Sequence, residues 1–194
     1  LATGLTHRGD IWFFVTDRTV FAVKEDSGMV AGIWNRADGV RLVAASSDHY
    51  RLETLQTETE AEELEDKVIE ASESGGTLTL RCSNPFLPTV SLVKEYRLKP
   101  EGPRLSKRVT VTGEPGEKTI LRITSRTYFD EQFRQDSYYQ RLLHPAIMMD
   151  SVVKAREITA PLAQPGFMGQ APDGCSQFCA SNLETGQGVG QFLV

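Results

Sequence analysis

The residues best suited to chemistry gather in one run, RITSRTYFDEQF (Arg122 to Phe133), and in DSYYQRLLHP (Asp136 to Pro145) just after it. Together they offer Arg126, Tyr128, Asp130, Tyr138, Tyr139 and His144 within a short span. Sugars present flat C–H faces that stack on aromatic rings, and hydroxyls that pair with Asp, Arg and His in concave sites. These six are therefore the candidate carbohydrate-binding residues. The plainer reading is that Tyr128 and Phe129 divide between core and surface, as strand aromatics do.

Catalysis finds less footing. Asp130 and Glu131 are adjacent, so on a strand they point to opposite faces and cannot flank one glycosidic bond. No Gly-x-Ser-x-Gly elbow is present, and no Ser or Cys stands in an activated setting. The glycines of GQGVG lack the lysine and following helix of a phosphate loop. No catalytic residue is assigned, and no cofactor is implied.

Of the three histidines, His144 stands before Pro145 at what reads as a helix end, where the dipole favours it without any catalytic purpose. His7 falls in a terminal segment expected to be loose. His49 shares a strand face with Ser47 and Arg51, facing solvent or packing the strand. Cys82, Cys175 and Cys179 make an odd count, and Cys-x3-Cys lacks the second pair of a structural zinc site, so no metal is implied. Idle thiols or a Cys175–Cys179 disulfide both remain open. The compartment stays open with them, export being favoured slightly over the cytoplasm.

The elements that must position these residues are short strands between turns. IWFFVT and TVFAVKE flank Asp17-Arg18, a connection of hairpin length, and RADG (Arg36 to Gly39) turns the chain into VRLVAASSDHYRLET. Further strand-like runs continue to the closing GVGQFLV. In SLVKEYRLK, Leu92, Lys94, Tyr96 and Leu98 share one face. In LSKRVTVTG, Leu105, Lys107, Val109 and Val111 do the same. About a dozen strands exceed a seven-stranded sandwich, so the expected fold is all-β: a large antiparallel two-sheet sandwich with at most one or two short helices.

Two stretches resist that pattern. ETEAEELEDKVIEASES admits a helix from about Glu60 to Ala71, or a hairpin of its second half with TLTL across Gly75-Gly76, which is favoured; its acidic residues read as a solvated face. DEQFRQDSYYQRLLHPAIMMD permits a short helix ended by Pro145, or a long loop of the kind that lines sites.

With 194 residues and a net charge of -5, the chain can bury a full core as one domain, 1–194. The acidic balance excludes a phosphate-backbone binder, so nucleic acid is not an expected partner. No apolar run is long enough to cross a bilayer as a helix, so a membrane is not one either. The missing initial Met and the apolar final residues suggest a piece of a longer polypeptide.

The runs NPFLPTVSLVKEYRLKPEGPRLSKRVTVTG (Asn84 to Gly113) and KTILRITSRTYFDEQF, with the earlier VAGIWNRADGVRLVAASSDHYRLE, carry a resemblance. They resemble the β-supersandwich of galactose mutarotase-like proteins, a domain also found at the N-terminus of many glycoside hydrolases. The likeness covers about half the chain. It implies the supersandwich fold. In that family an aldose epimerase strand reads Asn-His-x-Tyr-Phe-Asn, against Ser125 to Asp130 here. Tyr128 and Phe129 match, but Arg126 stands where the proton-transferring His belongs. A guanidinium stays protonated across the working pH range, so the resemblance implies that mutarotase activity is lost.

The expectation is a noncatalytic N-terminal β-sandwich domain of a glycoside hydrolase, with a carbohydrate and a catalytic domain of the same polypeptide as partners. Two alternatives stay open. One is a free-standing aldose epimerase-like enzyme using His144 with Asp130 or Glu131. The other is a structural or adhesive sandwich without a sugar ligand.

Overall fold

The computed structural model describes residues 1–53, 57–113, 120–130, 138–142, 151–154, 177–181 and 188–192; for residues 120–121 and those after 130 the description is of backbone. Contacts divide the chain into two compact units, Leu1–Tyr128 and Phe129–Val194.

The first unit opens with a meander of β1 (Gly4–Arg8), β2 (Ile11–Val15), β3 (Thr19–Lys24), β4 (Val30–Asn35) and β5 (Arg41–Glu53). Side chains close its turns. The Thr16 hydroxyl accepts the Thr19 N–H at 2.8 Å across Asp17-Arg18. In the next hairpin the Asn35 and Asp38 carboxamide and carboxylate oxygens accept the N–H groups of Ala37 (3.0 Å) and Val40 (2.9 Å). His7 is not loose: β1 pairs with β2 in register, setting His7 opposite Trp12, and the two rings stack with centroids 4.1 Å apart. Aromatic stacking and the strand ladder order this terminal segment.

The long β5 serves several neighbours. Its first part pairs with β4 and its last five residues with β6 (Glu58–Glu62), while β11 (Ile120–Phe129) also adjoins it. These strands form a seven-stranded sheet. A second, four-stranded antiparallel sheet runs β10-β9-β8-β7, made of β7 (Lys67–Ser74), β8 (Thr77–Ser83), β9 (Val90–Lys99) and β10 (Arg104–Gly113). β9 and β10 pair without interruption from Val90↔Gly113 to Lys99↔Arg104.

The two sheets close on each other. Phe14, Phe21, Val23, Val30 and Tyr50 from the first meet Leu78, Leu80, Cys82, Leu92 and Tyr96 from the second in one buried cluster. Each large apolar side chain so buried contributes about 1.5–3 kcal/mol, before the entropy of ordering the chain opposes it. The protein is an all-β antiparallel sandwich, and no α-helix occurs among the described residues.

The segment around Glu60 to Ala71 is therefore not an α-helix. It is the end of β6, a single 3-10 turn at Glu63–Glu65, and β7, which forms the hairpin with β8 across Gly75-Gly76. Leu64 is 63% exposed, so the one apolar i, i+4 pair of this stretch buries no helical stripe. The acidic run is also not wholly solvated, since Glu63 and Asp66 are buried.

The second unit holds a four-stranded antiparallel sheet, ordered β13-β12-β14-β15: β12 (Tyr138–Leu142), β13 (Ser151–Lys154), β14 (Gln177–Ser181) and β15 (Gly188–Phe192). Tyr138 to Leu142 are thus strand, where a short helix was one expectation; flanked by two antiparallel neighbours, this backbone meets its hydrogen-bonding needs in the ladder. The remainder of that expected helix lies outside the described residues. Cys179 is on β14, and Cys175 lies outside the described residues.

Candidate functional site

On β11 the strand alternation is plain: Arg122, Thr124, Arg126 and Tyr128 are exposed, whereas Ile123, Ser125 and Thr127 are half-buried. Three cross-strand contacts fix how β11 lies along β5: Ser46–Thr127 at 3.2 Å, Asp48–Ser125 at 2.5 Å and Glu53–Arg122 at 3.9 Å. Numbers rise on β5 as they fall on β11, so the pair is antiparallel.

The outward residues of β11, β5 and β6 make a polar strip. Arg126 donates to Glu62 at 2.8 Å, and His49 lies 3.6 Å from Glu60 and 3.8 Å from Glu62. Beyond them Arg51 bridges Glu53 (2.8 Å) and Glu58 (2.9 Å). Tyr128 stands beyond Arg126 on the same face and is 52% exposed, one of five large hydrophobic side chains left open among the described residues. The partly exposed arginine pairs of this strip add about 0–1 kcal/mol of stability each, so their main effect is to hold charged groups in place.

Of the six residues singled out for carbohydrate contact, Arg126 and Tyr128 are thus brought together on one strand face. Asp130 follows directly after β11 and is half-buried. Tyr138 and Tyr139 belong to β12 of the second unit, opposite Lys154 and Val153 on one side and Ser181 and Ala180 on the other. His144 lies outside the described residues. Glu131, the alternative carboxylate partner for it, does too.

The most concentrated chemistry is elsewhere, inside the sandwich. The 3-10 turn after β6 sets Glu63 and Asp66 on one side, three residues apart, pointing at β9. Lys94 reaches in from β9 with its ammonium 2.8 Å from Glu63, 2.7 Å from Asp66 and 2.6 Å from the Ser27 carbonyl; all three side chains of this ion cluster are 0% exposed. Asp66 also accepts from the Tyr50 hydroxyl (3.0 Å) and the Asn84 amide (2.7 Å). Lys107 of β10 extends the network, 2.5 Å from Glu63 and 2.7 Å from Asp48. Asp48 is held in turn by Ser125, and its own N–H donates to Glu63 at 2.8 Å.

Two ammonium groups therefore face three carboxylates. Each charge has several partners, the condition under which buried ions are tolerated. Burial by itself would raise the pKa of Asp48, but the Lys107 charge and the hydrogen bonds from Lys107 and Ser125 outweigh it, holding the carboxyl below the usual range. Burial would likewise lower Lys107, yet Glu63 and Asp48 beside it raise its pKa instead. The phenols of Tyr50 and Tyr96 are pushed well up, by burial first and by the neighbouring carboxylates second. Burial also raises the Cys82 thiol, to about 11.

These contacts favour the ionised form of Asp48 and the protonated form of Lys107. Lys94, fully enclosed and engaged with Glu63 and Asp66, is out of reach of an outside substrate, and so is Glu63, held between the two lysines. What the network does is tie strands β5, β9, β10 and β11 to the turn after β6. Gly28 is part of that fit. Its carbonyl accepts the Tyr96 hydroxyl, its φ is +71°, and a Cβ there would lie 2.9 Å from Leu80 and 3.1 Å from Lys94.

Sequence reasoning placed Lys94 and Lys107 on core faces but did not pair them. The available signal was those two lysines among Leu92, Tyr96 and Val109: an ammonium on a core face demands a buried carboxylate, and the acidic run supplies two. Among the described residues no group of three or more His, Cys, Asp or Glu is placed to hold a metal ion, and no helix is long and apolar enough to cross a membrane. Compared with models of known families, with characterised proteins and with solved structures, the chain finds no match.

Proposed function

We propose that this chain is a noncatalytic β-sandwich module of a carbohydrate-active protein, of the kind that precedes the catalytic domain of a glycoside hydrolase. The observation that supports this reading best is the outward face of β11, where the open ring of Tyr128 stands beside Arg126, itself held by Glu62. An exposed aromatic next to a fixed, hydrogen-bonding guanidinium supplies both parts of sugar recognition, a stacking surface and directional donors. Arg126 cannot shuttle a proton, and the enclosed carboxylates and lysines are engaged with one another, so this surface binds without turning over.

The experiment is polarimetry of glucose and galactose mutarotation with the chain present. No acceleration over buffer is expected. Protein-dependent turnover that His144→Ala removes would replace this reading with the epimerase one.

A further inference from the structure

We infer that the open edge of β7 is a docking site for an extended segment of a partner that carries Lys or Arg at alternate positions. β7 is the last strand of its sheet and, among the described residues, pairs with β8 alone. From Ile69 to Ser74 every residue is exposed, Ile69 at 63%. The start of the strand is anchored, because the Val68 N–H donates to the Asp26 carbonyl at 2.8 Å and the register shifts between Val68 and Glu70. Beyond that anchor the edge pairs with no further backbone among the described residues, which leaves its outward N–H and C=O groups for an incoming strand.

The charge beside the edge says which strand. A shallow, open groove of about 440 Å³ lies beside the first half of β7, lined by Asp10, Glu25, Asp26 and Glu70 around the apolar Val68, Ile69 and Ala71, with no Lys or Arg among its lining residues. Two of the carboxylates have exposed partners, His7 at 3.3 Å from Glu25 and Arg81 at 3.5 Å from Glu70; a third, Asp26, accepts the Ser27 hydroxyl. Such exposed pairs exchange readily for a new cation. An added strand would point every second side chain to one face, so cations at alternate positions meet the groove's carboxylates at one end and the exposed Glu73 farther along while the main chain completes the sheet. The other end of the sheet, β10, carries Arg104 and Arg108 and repels the same segment.

The probe is an extended heptapeptide of alternating lysine and valine, beside a glutamate–valine counterpart and a fully N-methylated version. Binding to the whole chain is followed by calorimetry and by amide hydrogen exchange. The lysine peptide is expected to bind, to slow exchange within residues 69–74, and to weaken as salt rises from about 0.05 to 0.5 M. Glu70→Lys with Glu73→Lys, both exposed, should lower its affinity about tenfold or more while the circular dichroism spectrum stays unchanged. Equal binding of the N-methylated or glutamate peptide, or no protection of residues 69–74, overturns the proposal. Protection of those amides that grows with protein concentration alone also overturns it, because the occupant is then a second copy of the chain.

Discussion

Replacing Lys94 by Met removes one charge from the middle of the sandwich while keeping nearly the same reach. In the native protein the Lys94 ammonium serves Glu63, Asp66 and the Ser27 carbonyl, all within 2.8 Å and out of contact with water. The variant leaves Lys107 beside Asp48 and Glu63, and takes from Asp66 its ammonium partner. Asp66 keeps Tyr50 and Asn84, and Glu63 keeps Lys107, so the loss is partial. Removing one partner of a buried ion pair costs about 3–5 kcal/mol, a large share of the roughly 5–15 kcal/mol that holds a domain folded. Adding Asp66→Asn to Lys94→Met returns the network to one cation and two carboxylates, and should recover about 1–3 kcal/mol through coupling of neighbouring sites. Urea unfolding followed by tryptophan fluorescence reads this directly, because Trp12 and Trp34 both lie in the first unit. A loss below about 1 kcal/mol for Lys94→Met, within the range of an exposed pair, would refute the claim that this network is enclosed and coupled.

Other outcomes follow from the same contacts. Gly28→Ala puts a side chain on a backbone of φ +71° and against Leu80, and should cost about 1–3 kcal/mol in the same assay. Asp48 is held below its usual pKa of about 3.9, so its contribution is complete above that value and is lost as the pH falls through its folded one. Lys107 is held above about 10.4, so its contribution is complete below that value and is lost as the pH rises through its folded one. Urea midpoints measured against pH should therefore fall on both flanks, and Asp48→Asn should flatten the acid flank; an unchanged acid slope would count against the assignment. Cys82, buried and with its thiol raised to about 11, should resist iodoacetamide at pH 8 in the native protein and react on unfolding, as read by peptide mass mapping.

The parts of this fold legible in the sequence were those governed by local rules. Alternation put Leu92, Lys94 and Tyr96 on one face, and they are buried together; Asp17-Arg18 and Gly75-Gly76 turn where hairpins need them. The division of Tyr128 and Phe129 between exposed and half-buried faces was legible for the same reason. What was not legible depended on contacts far apart in the chain. Glu63 and Asp66 looked like two more acids in a solvated run, because nothing within a few residues reveals that Lys94, 31 and 28 positions on, will meet both in the core, or that Lys107, 44 on, will meet Glu63. The stacking of His7 on Trp12 was hidden likewise, since it depends on the register of β1 with β2.

The proposed function meets its most direct test in a calorimetric titration of the chain with a panel of mono- and oligosaccharides, run in parallel on Tyr128→Ala. Tyr128 is exposed and supports no part of the core, so its truncation leaves the fold in place. Saturable binding of at least one sugar is expected, weakened about fivefold or more in the variant, as loss of one stacking contact of about 1 kcal/mol implies. Binding that ignores the substitution, or no binding to any sugar in the panel, would contradict it.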